Sequence, residues 1–167
     1  MTDDNISRRY AVLAKFEELG VQYEITEHPA VYNMEEVEKL GIDKHGLSVK
    51  NLFLRDAKGR KHFLIVLHKD KQANLSELSK KLDSTSLSFA SAERMMRYLG
   101  LRQGEVSPLG VLNDAEAQVV IVLDKDITGN PKIGVHPNDN TATVWLFYDD
   151  LYRFIKSNGN QIIVSVI

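Results

Sequence analysis

The apolar residues of this chain recur in two rhythms, and each change of rhythm marks a new element. Ile6, Tyr10, Leu13 and Phe16 fall at helical spacing within 5–19, and Gly20 is a suitable stop. "VQYEIT" then alternates Val21, Tyr23 and Ile25, which predicts a strand. Pro29 breaks regular structure. Asn33 with Glu36 three positions later has the spacing of an N-cap and its return partner, so a short helix should run to about Leu40. Apolar strands at 47–55 and 61–68 surround "DAKG", a hairpin signal.

The second half alternates in the same way. Asn74 with Glu77 opens a helix over 75–82, "SLSF" reads as a short strand, and Ser91 caps a helix through Tyr98 that Gly100 ends. "GEVSPLGVLND" (104–114) is a loop with two glycines and a proline. "QVVIVLD" (118–124) is continuously apolar, the mark of a strand buried on both faces. "KIGVHPNDNTATVWLF" gives two strands joined by "PNDN". "YDDLYRFIKSNG" is a capped helix closed by Gly159, and "QIIVSVI" is a last strand. Hairpins and helical crossovers both occur, without repeats or linkers. The pattern predicts one α+β domain over 1–167, built on a mixed sheet of about seven strands with short flanking helices.

Composition narrows the chemistry. The 167 residues include no cysteine, which removes disulfides, thiolate metal sites and cysteine nucleophiles. No apolar run reaches membrane-spanning length, and "MTDDNISRRY" lacks the layout of a signal peptide, so a cytoplasmic protein is expected. With 21 basic and 23 acidic residues the net charge is −2. A protein that coats nucleic acid is far more basic, so a nucleic-acid partner must be gripped locally. No helix-turn-helix or basic stripe points to DNA. His28, His45, His62, His68 and His136 show no metal-binding spacing, and neither a nucleophile elbow nor a phosphate-cradling loop is present. No metal and no cofactor are expected.

Three polar segments remain. Lys50 and Asn51 sit side by side in "LSVKNLFLRD" (47–56), otherwise the most buried-looking strand. Strand alternation sends the two side chains to opposite faces. Lys50 either snorkels to solvent or forms the cationic floor of a pocket. "GEVSPLG" is either a plain connection or a loop that presents backbone N–H groups to a ligand, with Gly110 allowing close approach. His136, before Pro137 and the turn with Asn138, is either a hydrogen-bonded structural residue or a pocket residue.

Taken together, "EHPAVY", "VKNLFLRD", "LSFAS", "GEVSPLGVLND" and "HPNDNTATVWL" resemble, in order and distance, the YbaK/prolyl-tRNA-synthetase-associated editing family. The likeness is to its freestanding Ala-tRNA(Pro) deacylases (ProXp-ala or PrdX type) and covers about 6–156. It implies a mixed, partly barrel-like sheet and hydrolysis in trans of alanine mischarged onto tRNA(Pro). Alanine is smaller than proline, and a synthetase pocket cannot reject a smaller apolar substrate by more than a few kcal/mol, so a second site must clear the error. The implied partners are the alanine-bearing acceptor end of tRNA(Pro) and, as a candidate, prolyl-tRNA synthetase.

Carried over by position, Lys50 matches the family's essential lysine, Asn51 its neighbour, Gly110 the glycine of the ligand-facing loop, and His136 the histidine that shapes the aminoacyl pocket. Lys50, Gly110 and His136 are thus the catalytic candidates. His28, Val31, Tyr32, Asn51, Ser107, Pro108 and Asn138 are the substrate-binding ones. Asn33 stands where the family usually has threonine. Either residue caps a helix, so the fold expectation survives, but a ligand contact at 33 does not follow. In the implied chemistry, N–H groups near Gly110 hold the ester carbonyl, Lys50 anchors a phosphate or polarises the ester, and the ribose 2′-hydroxyl helps activate water. Cation candidates for tRNA are Lys69, Lys71, Lys80, Lys81, Arg94, Arg97 and Arg102. Rival readings are a deacylase for Cys-tRNA(Pro) or Ser-tRNA, and a non-catalytic aminoacyl- or nucleotide-binding module.

Overall fold

The computed structural model describes residues 3–167. Helix α1 (Asp3–Leu19) leads into strand β1 (Tyr23–Glu27), helix α2 (Met34–Lys39) and the hairpin β2 (Leu47–Arg55) and β3 (His62–His68). Helix α3 (Leu75–Lys81), the short β4 (Ser88–Phe89) and helix α4 (Ala92–Leu99) follow, then β5 (Val119–Asp124), β6 (Ile133–Val135), β7 (Ala142–Leu146), helix α5 (Tyr148–Ser157) and β8 (Ile162–Ser165).

The helix starts obey their side chains. The Oδ1 atoms of Asn33 and Asn74 accept from the N–H of Glu36 and Glu77, and Ser91 Oγ accepts from Arg94 N–H. Helix α5 departs from expectation, because Phe147 precedes it and no side chain caps it. Within the loop "GEVSPLGVLND", residues Pro108–Asn113 wind into a 3-10 turn, started by the proline and capped by Ser107.

The strands form one sheet in the order β1-β7-β6-β2-β3-β5-β8, with β4 added to β2. The sheet is mixed: β2–β3, β1–β7 and β6–β7 are antiparallel, whereas β2–β6, β3–β5 and β5–β8 are parallel. It has eight strands rather than seven, because the paired part of "SLSF" counts as its own. It is open rather than barrel-closed, since β1 and β8 are edges that do not meet.

Alternation sorts the core. Val49 and Phe53 of β2 join Leu64, Val66, Ile121 and Leu123 in the main cluster, under α1, α4 and α5. Leu54, Phe63, Ile65 and Leu67 face the other way onto α3. A third group, Val31, Val37, Ile42 and Trp145, packs α2 on that second side. Fully burying one such side chain stabilises the fold by about 1.5–3 kcal/mol. "QVVIVLD" is buried on both faces, as its lack of alternation predicted: Val119, Ile121 and Leu123 join the main cluster, and Val120 and Val122 the one over α3.

Candidate active site

A cavity of about 460 Å³ opens where the sheet is incomplete. Strand β2 pairs with β6 only at Leu47 and Ser48, and with β4 only at Leu54 and Arg55. Between those contacts its edge has no neighbour among the described residues. Leu47 N–H donates to Lys132, and Phe53 C=O accepts from Ala90 N–H, so the odd-numbered peptides of β2 turn to this edge. Alternation then aims the N–H and C=O of Asn51 into the gap. The register with β3 runs unbroken from Val49↔His68 to Arg55↔His62, so no bulge disturbs this assignment.

Six consecutive residues of β2, Ser48 to Phe53, line the cavity. A pocket meets consecutive strand residues when it wraps an edge, since one face offers only every second residue. This reconciles two expectations. Lys50 and Asn51 do leave on opposite faces, Lys50 with Leu52 and Leu54, Asn51 with Val49 and Phe53. Both nevertheless border one cavity.

The polar groups here are only partly satisfied. Lys50 Nζ donates to Lys71 C=O at 2.7 Å. An ammonium carries three donors, so two remain. Asn51 Oδ1 and Ser48 Oγ are buried without a partner, and a buried polar atom left unpaired is costly. Both residues line the cavity.

His136 borders the cavity from the end of β6. Its Nδ1 faces Ala142 C=O at 3.0 Å. A carbonyl only accepts, so Nδ1 carries the proton and Nε2 is the free acceptor of the neutral ring. Burial pushes the His136 pKa down against the raising effect of that bond, and nearby His28 adds to the fall. Two loops brace it: Ser107 Oγ donates to His136 C=O at 2.6 Å, and Asn138 Nδ2 donates to Leu109 C=O at 3.2 Å. Asn138 sits in the left-handed region at φ 58°, which asparagine tolerates.

The remaining candidates divide. Val31 and Tyr32 line the cavity, and Tyr32 and Phe89, each 63% exposed, stand at its rim. His28 does not line it. Its Nδ1 is bonded to Pro29 C=O and its Nε2 to Thr143 Oγ1, so it holds the wall behind His136, 6.1 Å ring to ring. Ser107 and Pro108 likewise lie behind the wall, and Ser107 acts through His136.

Gly110 corrects the sequence reading. It is buried away from the cavity, and its N–H is taken by Ser107 C=O at 3.0 Å. A Cβ there would sit 2.8 Å from Leu101 Cδ1, so core packing demands the glycine. The glycine at the cavity is Gly104, at φ 86°, with the Tyr32 ring lying against it. The loop borders the cavity through Gln103, Gly104 and Val106, not through Gly110. Met95, Val106 and Val135 complete apolar walls that the sequence reading did not name. Asn33, set aside as a ligand contact, both caps α2 and lines the cavity. No three His, Asp or Glu side chains converge as a metal site among the described residues.

Comparison with known proteins matches residues 28–154 to the aminoacyl-tRNA editing domain. The chain is 51% identical over 156 residues to the prolyl-tRNA editing protein ProX of Acetoanaerobium sticklandii, covering 93% of this chain and 95% of that one. It is 24% identical over 162 residues to a proline–tRNA ligase of Limosilactobacillus fermentum, covering 94% of this chain and 26% of the ligase. Among solved structures, a scaffold protein from a study of epitope backbone grafting shares the fold at a TM-score of 0.74 and 20% identity, over 96% of each chain.

Proposed function

The chain belongs to the aminoacyl-tRNA editing domain family, and from that premise we propose that it is a trans-acting deacylase that cleaves alanine from mischarged tRNA(Pro). One observation carries the reading: the cavity opens on the unpaired edge of β2 at Lys50 and Asn51.

An aminoacyl ester is already activated, so its hydrolysis needs chiefly a positioned water and a stabilised oxyanion. The Asn51 peptide N–H, rather than that of Gly110, is the donor free for the ester carbonyl oxygen. Lys50 brings a cation to the same edge for the phosphate or ester of the terminal nucleotide. Water gives up a proton as it adds to the carbonyl carbon, and the negative charge collects on the carbonyl oxygen. The bond to the ribose oxygen then breaks, that oxygen takes up the proton the water released, and alanine and free tRNA leave. The family resemblance implies help from the substrate's own 2′-hydroxyl in activating the water. His136, braced from behind and neutral, shapes the pocket around the aminoacyl group. A match to one segment of a proline–tRNA ligase supports prolyl-tRNA synthetase as the enzyme whose errors are cleared.

The test is deacylation of Ala-tRNA(Pro) by the purified protein and by Lys50→Ala. Free alanine should appear with the wild type and be strongly slowed in a variant whose circular dichroism is unchanged. Equal rates in the two proteins would remove Lys50 from the chemistry.

A further inference from the structure

The cations marked in the sequence as tRNA candidates separate once placed. Lys69 pairs with Asp43 at 3.4 Å, Lys71 with Asp124 and Asp126, and Lys81 donates to Val166 C=O. These are used within the fold. Another set makes no ion pair, although Arg55 donates to the C=O of Asp56 and of Ala57. Arg55, Lys58, Arg60 and Lys61 lie along the end of the β2–β3 hairpin, and Arg94 and Arg97 on α4. None of the six pairs with a carboxylate among the described residues.

The two elements abut. Arg94 Nη1 donates to Gly59 C=O at 3.0 Å. The acids on them are Asp56 and Glu93, and Asp56 is turned onto the hairpin, accepting from Arg60 N–H at 2.8 Å and Lys61 N–H at 3.2 Å. Buried His62 lies in the same field: after burial itself, Arg94 is the chief influence lowering its pKa, Asp56 opposes it, and Arg55 and Arg97 add to the fall. The ridge also starts at the cavity. Ala92 and Met95 of α4 line it, exposed Phe89 stands at its rim, and β4 pairs with Arg55 through Ser88.

We propose that this ridge docks the phosphate backbone of an RNA whose 3′ end enters the cavity. A chain of net charge −2 gains no overall attraction for RNA, so a local cluster must supply the grip. The inference rests on the deacylase reading and names the surface by which that site holds its substrate.

The test compares the double variant Lys58→Glu/Arg60→Glu with the wild type and with Lys15→Glu/Lys156→Glu, a reversal on α1 and α5. Substrates are full-length Ala-tRNA(Pro) and the alanyl ester of the trinucleotide CCA. The ridge variant should raise KM for the full tRNA about tenfold relative to its KM for the trinucleotide. Its slope of log affinity against log salt should fall in magnitude by about one to two, the contribution of the lost phosphate contacts. The distant variant should do neither. Equal effects of the two variants, or equal loss on both substrates, would overturn the proposal. If the wild type cleaves neither ester, the deacylase reading fails. Filter binding of uncharged tRNA to the three proteins then judges the ridge alone, with selective weakening in the ridge variant supporting it and uniform binding refuting it.

Discussion

Lys50 and Lys71 are joined by an ammonium-to-carbonyl hydrogen bond of 2.7 Å, and Lys71 is itself held by Asp124 at 2.9 Å and Asp126 at 2.5 Å. The cation at the cavity edge is therefore set by a chain of contacts ending in a buried aspartate. Asp124 also accepts His68 N–H at 3.0 Å, which ties the chain to the end of β3. Losing the Lys50 ammonium should lower kcat/KM for Ala-tRNA(Pro) by at least about 10²-fold, the scale of losing one positioned charge stabiliser. Lys50→Arg separates two roles. An arginine variant that keeps most activity identifies an anchor, since arginine does not give up its proton.

Gly110 and Gly104 make different predictions. Gly110→Ala forces a methyl against Leu101 and Leu99, and should cost about 1–3 kcal/mol of stability while the folded fraction keeps its kcat. Gly104→Ala displaces Tyr32 from the cavity rim, so KM should rise, beside a stability cost of about 1–2 kcal/mol from the strained backbone at φ 86°. Paired denaturation curves and Michaelis plots check both. A raised KM in Gly110→Ala instead would return Gly110 to the site.

His136→Ala should widen the pocket. Hydrolysis of larger aminoacyl groups should increase relative to alanine, because the ring is fixed as a wall by Ala142 C=O and its backbone by Ser107. Abolished turnover of every substrate with normal binding would make the ring a proton carrier instead.

Arg9 locks α1 to the loop that carries His136. Its Nε and Nη2 reach Asp139, and its other contacts are Glu27 at 2.6 Å and Thr141 at 3.0 Å. Burial opposes the arginine's charge, but the bonds to Glu27 and Asp139 outweigh it and raise its pKa. Arg9→Ala leaves Asp139 buried without its cation and should cost about 3–5 kcal/mol. Urea denaturation measures it. Asp139 is held below its ordinary pKa: burial works the other way but is overcome by the bonds from Thr141 and Arg9. Its stabilisation is therefore complete above the ordinary aspartate range, and is lost as pH falls through the lowered value.

His62 gives the second pH signature. It is buried against Phe53 and Tyr98, and Arg94 lies 3.1 Å from its Nε2. Burial, then Arg94, lowers its pKa from 6.5 to about 4. Between those values the unfolded chain binds a proton that the fold refuses. Stability should thus fall as pH drops from 6.5 toward 4, by on the order of 2 kcal/mol. In His62→Gln the denaturation midpoint should be flatter across that window. An unchanged slope would place the pH dependence elsewhere.

The caps at Asn33, Asn74 and Ser91 and the two-faced burial of β5 were legible because each follows from local spacing. The divergence of Lys50 and Asn51 was legible for the same reason. Their meeting at one cavity was not. It depends on β2 losing its neighbour on one edge between Ser48 and Leu54, a fact of pairing between distant segments. The choice between Gly104 and Gly110 was hidden too. Both lie in a loop of special residues, and only the ring of Tyr32 and the side chain of Leu101 tell them apart. His28 belonged to the right segment, but both its nitrogens turned out to be committed inside the protein.

The most direct test of the account is parallel deacylation of Ala-tRNA(Pro), Pro-tRNA(Pro), Cys-tRNA(Pro) and Ala-tRNA(Ala) by the wild-type protein. The account predicts rapid release of alanine from tRNA(Pro), with the correctly charged Pro-tRNA(Pro) and the correctly paired Ala-tRNA(Ala) spared. Preferential hydrolysis of Pro-tRNA(Pro), or no hydrolysis of any of the four, would contradict it.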